Sequence, residues 1–216
     1  MILSDYEYFR TELGVLYKGD CLEILPLIEN VDLLLTDPPY GIKADKGSDG
    51  FGVKSGKKYN GNWDSKRIDV LKILKGKNQI IFGGNYYADI LKVTNSWIVW
   101  DKIGDGKFKN PFSDCEMAWT SFKFAMKKYV VVQQGFVAEE KERFHPTQKP
   151  VILFQKILTD LSKGNELILD CYLGSGTTAL ACEKLGRKWI GIEISEEYCA
   201  IAKKRIETEA NQLKMF

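Results

Sequence analysis

The chain has 216 residues, 31 Lys and Arg against 29 Asp and Glu, and a net charge of +2. That length suits one domain with a sizeable core, and so small a charge does not by itself signal nucleic-acid binding, which must rest on local patches. The five dispersed cysteines lack a CxxC pair, and no apolar run approaches the roughly 18–20 residues that cross a bilayer. Reduced thiols in a cytoplasmic protein are expected, with no disulfide framework, no metal site and no membrane partner.

In chain order, apolar runs predict strands over 32–36, 79–82, 97–100, 116–120, 128–132, 166–170 and 188–193. Helices are predicted over 68–74, 86–91, 151–161, 177–185 and 196–210. In the third of these, Val151, Leu153, Phe154, Ile157, Leu158 and Leu161 form a stripe of helical period behind Pro150, which suits a first turn. Alternating strands and helices imply a doubly wound α/β fold, mostly parallel, with helices on both faces of the sheet. Segments 43–66 and 101–114, rich in glycine and lysine, read as long loops. No internal repeat or second core-forming block is present, so 1–216 is expected to be one domain.

Two motifs carry the chemistry. Thr36-Asp37-Pro38-Pro39-Tyr40 and Asp170-Cys171-Tyr172-Leu173-Gly174-Ser175-Gly176-Thr177-Thr178 each follow an apolar run, with Asp37 and Asp170 133 positions apart. Loops at the carboxyl ends of strands in an open α/β sheet bind ligands, so both motifs are expected on one sheet edge. Consecutive prolines fix φ twice and remove two donors, giving a stiff turn with a carboxylate and an aromatic face. Such a site suits an amino group on a flat ring. Acceptors from Asp37 and the Pro38 carbonyl would localise the amine's lone pair, and Tyr40 would stack on the ring. A structural turn is the plainer alternative.

The glycines of the second motif allow close approach of a ligand to the backbone, although a lone GxG is also common in ordinary strand–turn–helix corners. Glu193, at the tip of the next predicted strand, is placed to accept hydrogen bonds from both hydroxyls of a ribose, with Ile194 beside it.

With both motifs in hand, the chain resembles the beta-type DNA amino-methyltransferases (N6-adenine and N4-cytosine), in which the catalytic motif precedes the cofactor motif. Tyr17-Lys18-Gly19-Asp20-Cys21 is similar to the family's amino-terminal cofactor segment, and His145-Pro146-Thr147-Gln148-Lys149-Pro150 to its block before the helix leading to the glycine turn. The usual Asp-Pro-Phe ahead of the glycines is Asp170-Cys171-Tyr172 here. The resemblance implies a Rossmann-like methyltransferase domain that uses S-adenosyl-L-methionine. It implies Asp37, Pro38, Pro39 and Tyr40 as catalytic residues. As cofactor contacts it implies Asp20, Cys21, Asp37, Thr147, Lys149, Asp170, Tyr172, Gly174, Ser175, Gly176, Thr177, Thr178, Glu193 and Ile194, with Lys149 meeting the cofactor carboxylate. An acid at position 37 fits adenine N6 methylation on a flipped base. N4-cytosine methylation and a non-catalytic cofactor-binding module are the alternatives. Lone His145 reads as a loop residue.

Between 43 and 67, seven Lys or Arg oppose three Asp, a local charge of +4. Lys43, Lys46, Lys54, Lys57, Lys58, Tyr59 and Trp63 are therefore the expected DNA contacts, the lysines on phosphates and the aromatics stacking near the strand. A merely solvated lysine-rich loop is the plainer alternative. The implied partners are DNA, a second copy of the chain and a cognate restriction endonuclease.

Overall fold

A computed structural model describes residues 2–42, 64–105, 113–133 and 148–213. Among them, nine strands form one sheet: β1 (Glu7–Arg10), β2 (Gly14–Lys18), β3 (Leu33–Thr36), β4 (Asn78–Phe82), β5 (Trp97–Asp101), β6 (Cys115–Thr120), β7 (Lys127–Val130), β8 (Leu167–Asp170) and β9 (Lys188–Glu193). Their spatial order is β1-β2-β9-β8-β3-β4-β6-β5-β7. β2, β9, β8, β3 and β4 are all parallel, and β1 and β6 run antiparallel to their neighbours. The α-helices among the described residues are α1 (Cys21–Ile24), α2 (Val151–Leu161), α3 (Thr177–Leu185) and α4 (Glu196–Leu213).

Each central strand is apolar on both faces, as a covered parallel sheet requires. Leu33, Leu35, Ile80, Phe82 and Ile168 face a cluster shared with α2, α3 and α4. Leu34, Ile81 and Leu169 point the other way, toward Ile24, Val70, Ile73 and Tyr87 from α1 and two short helical turns. The stripe on α2 buries Val151, Leu153, Phe154, Ile157 and Leu158 as its spacing predicts.

The predicted mostly parallel α/β architecture is therefore observed, with differences in detail. The helices predicted over 68–74 and 86–91 are single 3-10 turns, Val70–Ile73 and Gly84–Tyr87. Val70 and Ile73, three apart, both reach the core, which one tight turn achieves. The second turn starts ahead of the predicted helix, at Gly84, with Gly83 in the left-handed region at its amino-terminal cap. β7 spans Lys127–Val130 where 128–132 was expected. β1, β2 and α1 were not anticipated. Thr11 makes the β1–β2 hairpin tight, its Oγ1 accepting from the Leu13 and Gly14 amides at 3.2 and 3.0 Å. All five cysteines are free thiols. No described helix is long and apolar enough to cross a membrane.

Candidate active site

Because the five parallel strands share a direction, their carboxyl ends fall on one edge. The chain departs outward in opposite senses from β3, toward β4, and from β8, toward β9, so a switch point lies between β3 and β8. The two motifs meet there. β3 and β8 are paired directly, Leu34 against Leu169. The Thr36 hydroxyl donates to Asp170 Oδ1 at 2.7 Å.

Asp37 follows β3, its side chain 24% exposed. Tyr40 donates its hydroxyl hydrogen to Asp37 Oδ1, and the Lys149 ammonium binds Oδ2. Burial raises the Asp37 carboxyl above its ordinary range, and the Lys149 charge opposes that rise. Tyr87 donates to the Pro39 carbonyl, which gives the proline turn a fixed orientation. The Tyr40 ring stacks on Tyr86 with centroids 4.9 Å apart and planes at 21°. Gly83, with φ +64°, makes room for that ring: a Cβ there would lie 2.0 Å from Tyr40 Cε1. Beyond Tyr40, the Gly41 amide donates to Asp64 Oδ1 at 2.7 Å, so both ends of segment 43–63 are anchored beside the Asp-Pro-Pro-Tyr turn.

Lys149 stands one residue ahead of Pro150, the N-cap of α2, with its side chain only 4% exposed. Its Nζ also lies 3.3 Å from Glu116 Oε2, at the amino end of β6, and Glu116 Oε1 lies 2.7 Å from Lys102 Nζ. A row of alternating charges therefore runs Lys102, Glu116, Lys149, Asp37.

On the other side of the switch point, Gly174 (φ +54°) and Gly176 (φ +90°) carry the turn from β8 into α3. A Cβ on Gly174 would meet nothing within 4 Å, so the turn opens onto free space there. Glu193, at the end of β9, accepts the Gly174 amide on Oε2 and the Ser195 amide on Oε1, both at 2.8 Å. The Ile194 amide also bonds this carboxylate, whose roughly four lone-pair sites still leave it acceptor capacity. Burial raises this carboxyl above its usual range. Ile194 beside it is 68% exposed. β2 delivers Asp20 and Cys21 to the same place, Lys18 standing in register with Glu193. Asp20 caps α1 by accepting from the Leu22 amide at 2.8 Å. Hydrogen bonds from Cys171 and Tyr172 hold the Cys21 thiol below its ordinary range. An acceptor-only carboxylate beside an open glycine turn fits a ligand bearing a diol, as the ribose of S-adenosylmethionine does.

Other predicted residues hold the loop together. Asp170 is 4% exposed and accepts from Thr36, from the Tyr172 amide at 3.1 Å and from the Thr178 hydroxyl. Burial pushes its carboxyl up to about 6. Thr177 donates to the Lys149 carbonyl at 3.3 Å, and Ser175 to Gln148 Oε1 at 3.1 Å. Arg205 of α4 donates to the Ser175 carbonyl at 2.5 Å. Lys43, Lys46, Lys54, Lys57, Lys58, Tyr59, Trp63, His145 and Thr147 lie outside the described residues.

Sequence reasoning missed Gly83, Tyr86, Tyr87, Lys102, Glu116 and Arg205. Gly83-Gly84 directly after a predicted strand was a readable signal for the first of these. Glu116 and Lys102 carry none, because only the antiparallel pairing of β6 with β4 and β5 brings them to this edge.

The DNA methylase family (N6_N4_Mtase) matches residues 93–204. Type II methyltransferase M.HpaI of Haemophilus parainfluenzae is 28% identical, over 84% of this chain and 70% of its own length. Type II methyltransferase M2.DpnII of Streptococcus pneumoniae is 26% identical, over 96% and 95%. Among solved structures, the M1.HpyAVI–SAM complex superposes with a TM-score of 0.58 at 23% identity, covering 89% of this chain and 98% of the other. The cytosine-N4-specific PvuII DNA methyltransferase superposes with a TM-score of 0.58 at 19% identity, covering 94% and 93%. The family match spans more than half of the sequence and includes β8, the glycine turn and β9: the chain belongs to the N6/N4 DNA methylase family.

Proposed function

We propose that the protein transfers a methyl group from S-adenosyl-L-methionine to the N6 amino group of adenine in DNA, on a base flipped out of the duplex. The observation that carries this reading is the Asp37 carboxylate, fixed at the switch point beside Tyr40 and one strand away from the open glycine turn. S-adenosyl-L-methionine supplies an electrophilic methyl on sulfur. Glu193 would hold its ribose, and Ile194 and the Gly174–Gly176 turn would line its path. Asp37 and the Pro38 carbonyl would accept the two amino hydrogens and localise the nitrogen lone pair, with Tyr40 and the exposed Tyr86 as an aromatic wall for the base. Flipping costs a few kcal/mol, which orientation and preorganised acceptors offset.

Residues 1–216 are read as one methyltransferase domain. Segment 43–63 would contact the DNA backbone beside the flipped base, since Gly41 and Asp64 anchor both of its ends at the catalytic turn. The Type II relatives support a partner restriction endonuclease. Digestion of treated DNA to nucleosides and mass spectrometry tests the reading. N6-methyladenine is expected, and N4-methylcytosine alone would transfer the assignment to cytosine.

A further inference from the structure

Asp37 is doubly occupied: Tyr40 holds one oxygen and the Lys149 ammonium the other. An amino group being methylated gains positive charge, and an ammonium on the same carboxylate opposes that gain. Lys149 cannot retreat into solvent, since its side chain is 4% exposed and its Nζ lies 5.0 Å from the Phe82 ring centroid and 5.9 Å from that of Tyr40. Among the described residues, its second anionic neighbour is Glu116, at 3.3 Å.

We propose that Glu116 is a positioning residue that takes over the Lys149 ammonium when the target amino group reaches Asp37. This rests on the reading of Asp37 as the acceptor for the amino group. A displacement of about half an ångström shortens the Lys149–Glu116 distance to that of a full charge-assisted hydrogen bond. The move is small enough for a buried side chain. Lys102, 2.7 Å from the other oxygen, holds the Glu116 carboxylate in place and offsets its charge. The Lys102 and Lys149 charges keep the Glu116 carboxyl below its ordinary range although burial pushes it up, so Glu116 stays ionised and ready to receive the ammonium. The charge row is thus a handover rail: the ammonium neutralises Asp37 in the resting enzyme and Glu116 during transfer.

The groups facing Asp37 are Tyr40 from its own turn, Lys149 ahead of α2, Glu116 on β6, Tyr87 after β4 and Asp170 at the end of β8. Glu116 carries a like charge and raises the Asp37 carboxyl. Its removal therefore lowers that carboxyl and tightens the Asp37–Lys149 pair.

The test uses the full chain in single-turnover methyl transfer on duplex DNA, with S-adenosylmethionine affinity measured by calorimetry. Glu116→Gln should lose about tenfold or more in rate with cofactor affinity within about twofold, and the acid limb of its pH–rate profile should move to lower pH. Glu116→Asp keeps a carboxylate and should recover most of the rate. In a Lys149→Met background, assayed on the alkaline plateau, Glu116→Gln should add little further loss, because no ammonium remains to be rehoused. An undiminished loss in that background, a wild-type rate with an unmoved acid limb, or a Lys149→Met protein inactive at every pH would overturn the handover. If Glu116→Gln does not fold, Glu116→Ala, which also removes the carboxylate, enters the same cycle, and a rate loss equal in both backgrounds overturns the proposal. Asp37→Ala separates the two readings: normal turnover there removes the acceptor role itself, whereas an inactive Asp37→Ala beside a fully active Glu116→Gln removes only the handover.

Discussion

Thr36 and Asp170 join the catalytic and cofactor turns, the hydroxyl of one donating to the carboxylate of the other across 2.7 Å. The hydrogen bond is buried at both residues, with Thr36 at 0% and Asp170 at 4% exposure. It sits between the last residues of two adjacent parallel strands, so any shift of one turn is passed to the other.

The same carboxylate sets a pH dependence. Its folded pKa is about 6, raised by burial from 3.8, so the native state holds this proton more tightly than the unfolded chain. This group therefore favours folding fully below about pH 4, and that contribution is lost as pH rises through 6. Asp170→Asn should abolish the dependence. Urea midpoints of wild type minus variant, measured from pH 4 to 7, should fall with rising pH. A flat difference would show that Asp170 has no raised pKa.

Asp37→Ala should remove methyl transfer while leaving cofactor affinity within about threefold, since the carboxylate faces Tyr40 and Lys149 and not the glycine turn. Radiolabel transfer and calorimetry read the two quantities separately. Comparable turnover in the variant would end the assigned role.

Gly83→Ala should damage the site through shape alone. The added Cβ would stand 2.0 Å from Tyr40 Cε1 at a φ of +64°, so both overpacking and backbone strain oppose it. Together they should cost about 2–4 kcal/mol of stability. Turnover should fall further than that loss explains, because the Tyr40 ring must leave its stack with Tyr86. The thermal midpoint and the single-turnover rate check this, and a variant with wild-type values for both would mean that Tyr40 has another resting place.

Much of this was legible in the sequence because the relevant signals are local. Val31 to Thr36 and Leu167 to Asp170 are apolar runs that end in motifs, and covered parallel strands leave such runs behind. The placing of Asp37 and Asp170 on one sheet edge followed from the rule for carboxyl ends, and the Leu34–Leu169 pairing makes their strands direct neighbours as well. What was not legible depends on pairing between distant segments. Glu116 reads as one acid at the start of an ordinary strand, and only the antiparallel register of β6 brings it to Lys149. Lys149 is expected from the sequence as a cofactor contact, but its pairing with Asp37, 112 positions away, leaves no local signal. The short turns after 68 and 84 were overread as helices because apolar spacing of three does not separate a 3-10 turn from an α-helix.

Replacing Lys54, Lys57 and Lys58 by Ala should weaken DNA binding and flatten its salt dependence without changing cofactor affinity. These lysines fall within a stretch of net charge +4 that begins directly after the catalytic turn. Every lysine–phosphate pairing removed should reduce the slope of log K against log salt by about 0.9 on duplex DNA, similarly for all sequences. An unchanged slope would make the stretch a solvated bystander and move DNA binding elsewhere.

Glu193→Ala should weaken S-adenosylmethionine binding by about 1–3 kcal/mol, the range for losing a charged hydrogen-bond partner. The carboxylate also fixes the Gly174 and Ser195 amides, so part of that loss will come from the glycine turn itself. Glu193→Gln separates the contributions. It keeps one acceptor oxygen for the turn but replaces the other with an amide that competes with the ribose hydroxyls as a donor. Calorimetry should therefore find Glu193→Gln weakened by about as much as Glu193→Ala, with a melting temperature closer to wild type. If Glu193→Gln binds the cofactor normally while Glu193→Ala does not, Glu193 serves only the turn, and the ribose is held by other residues.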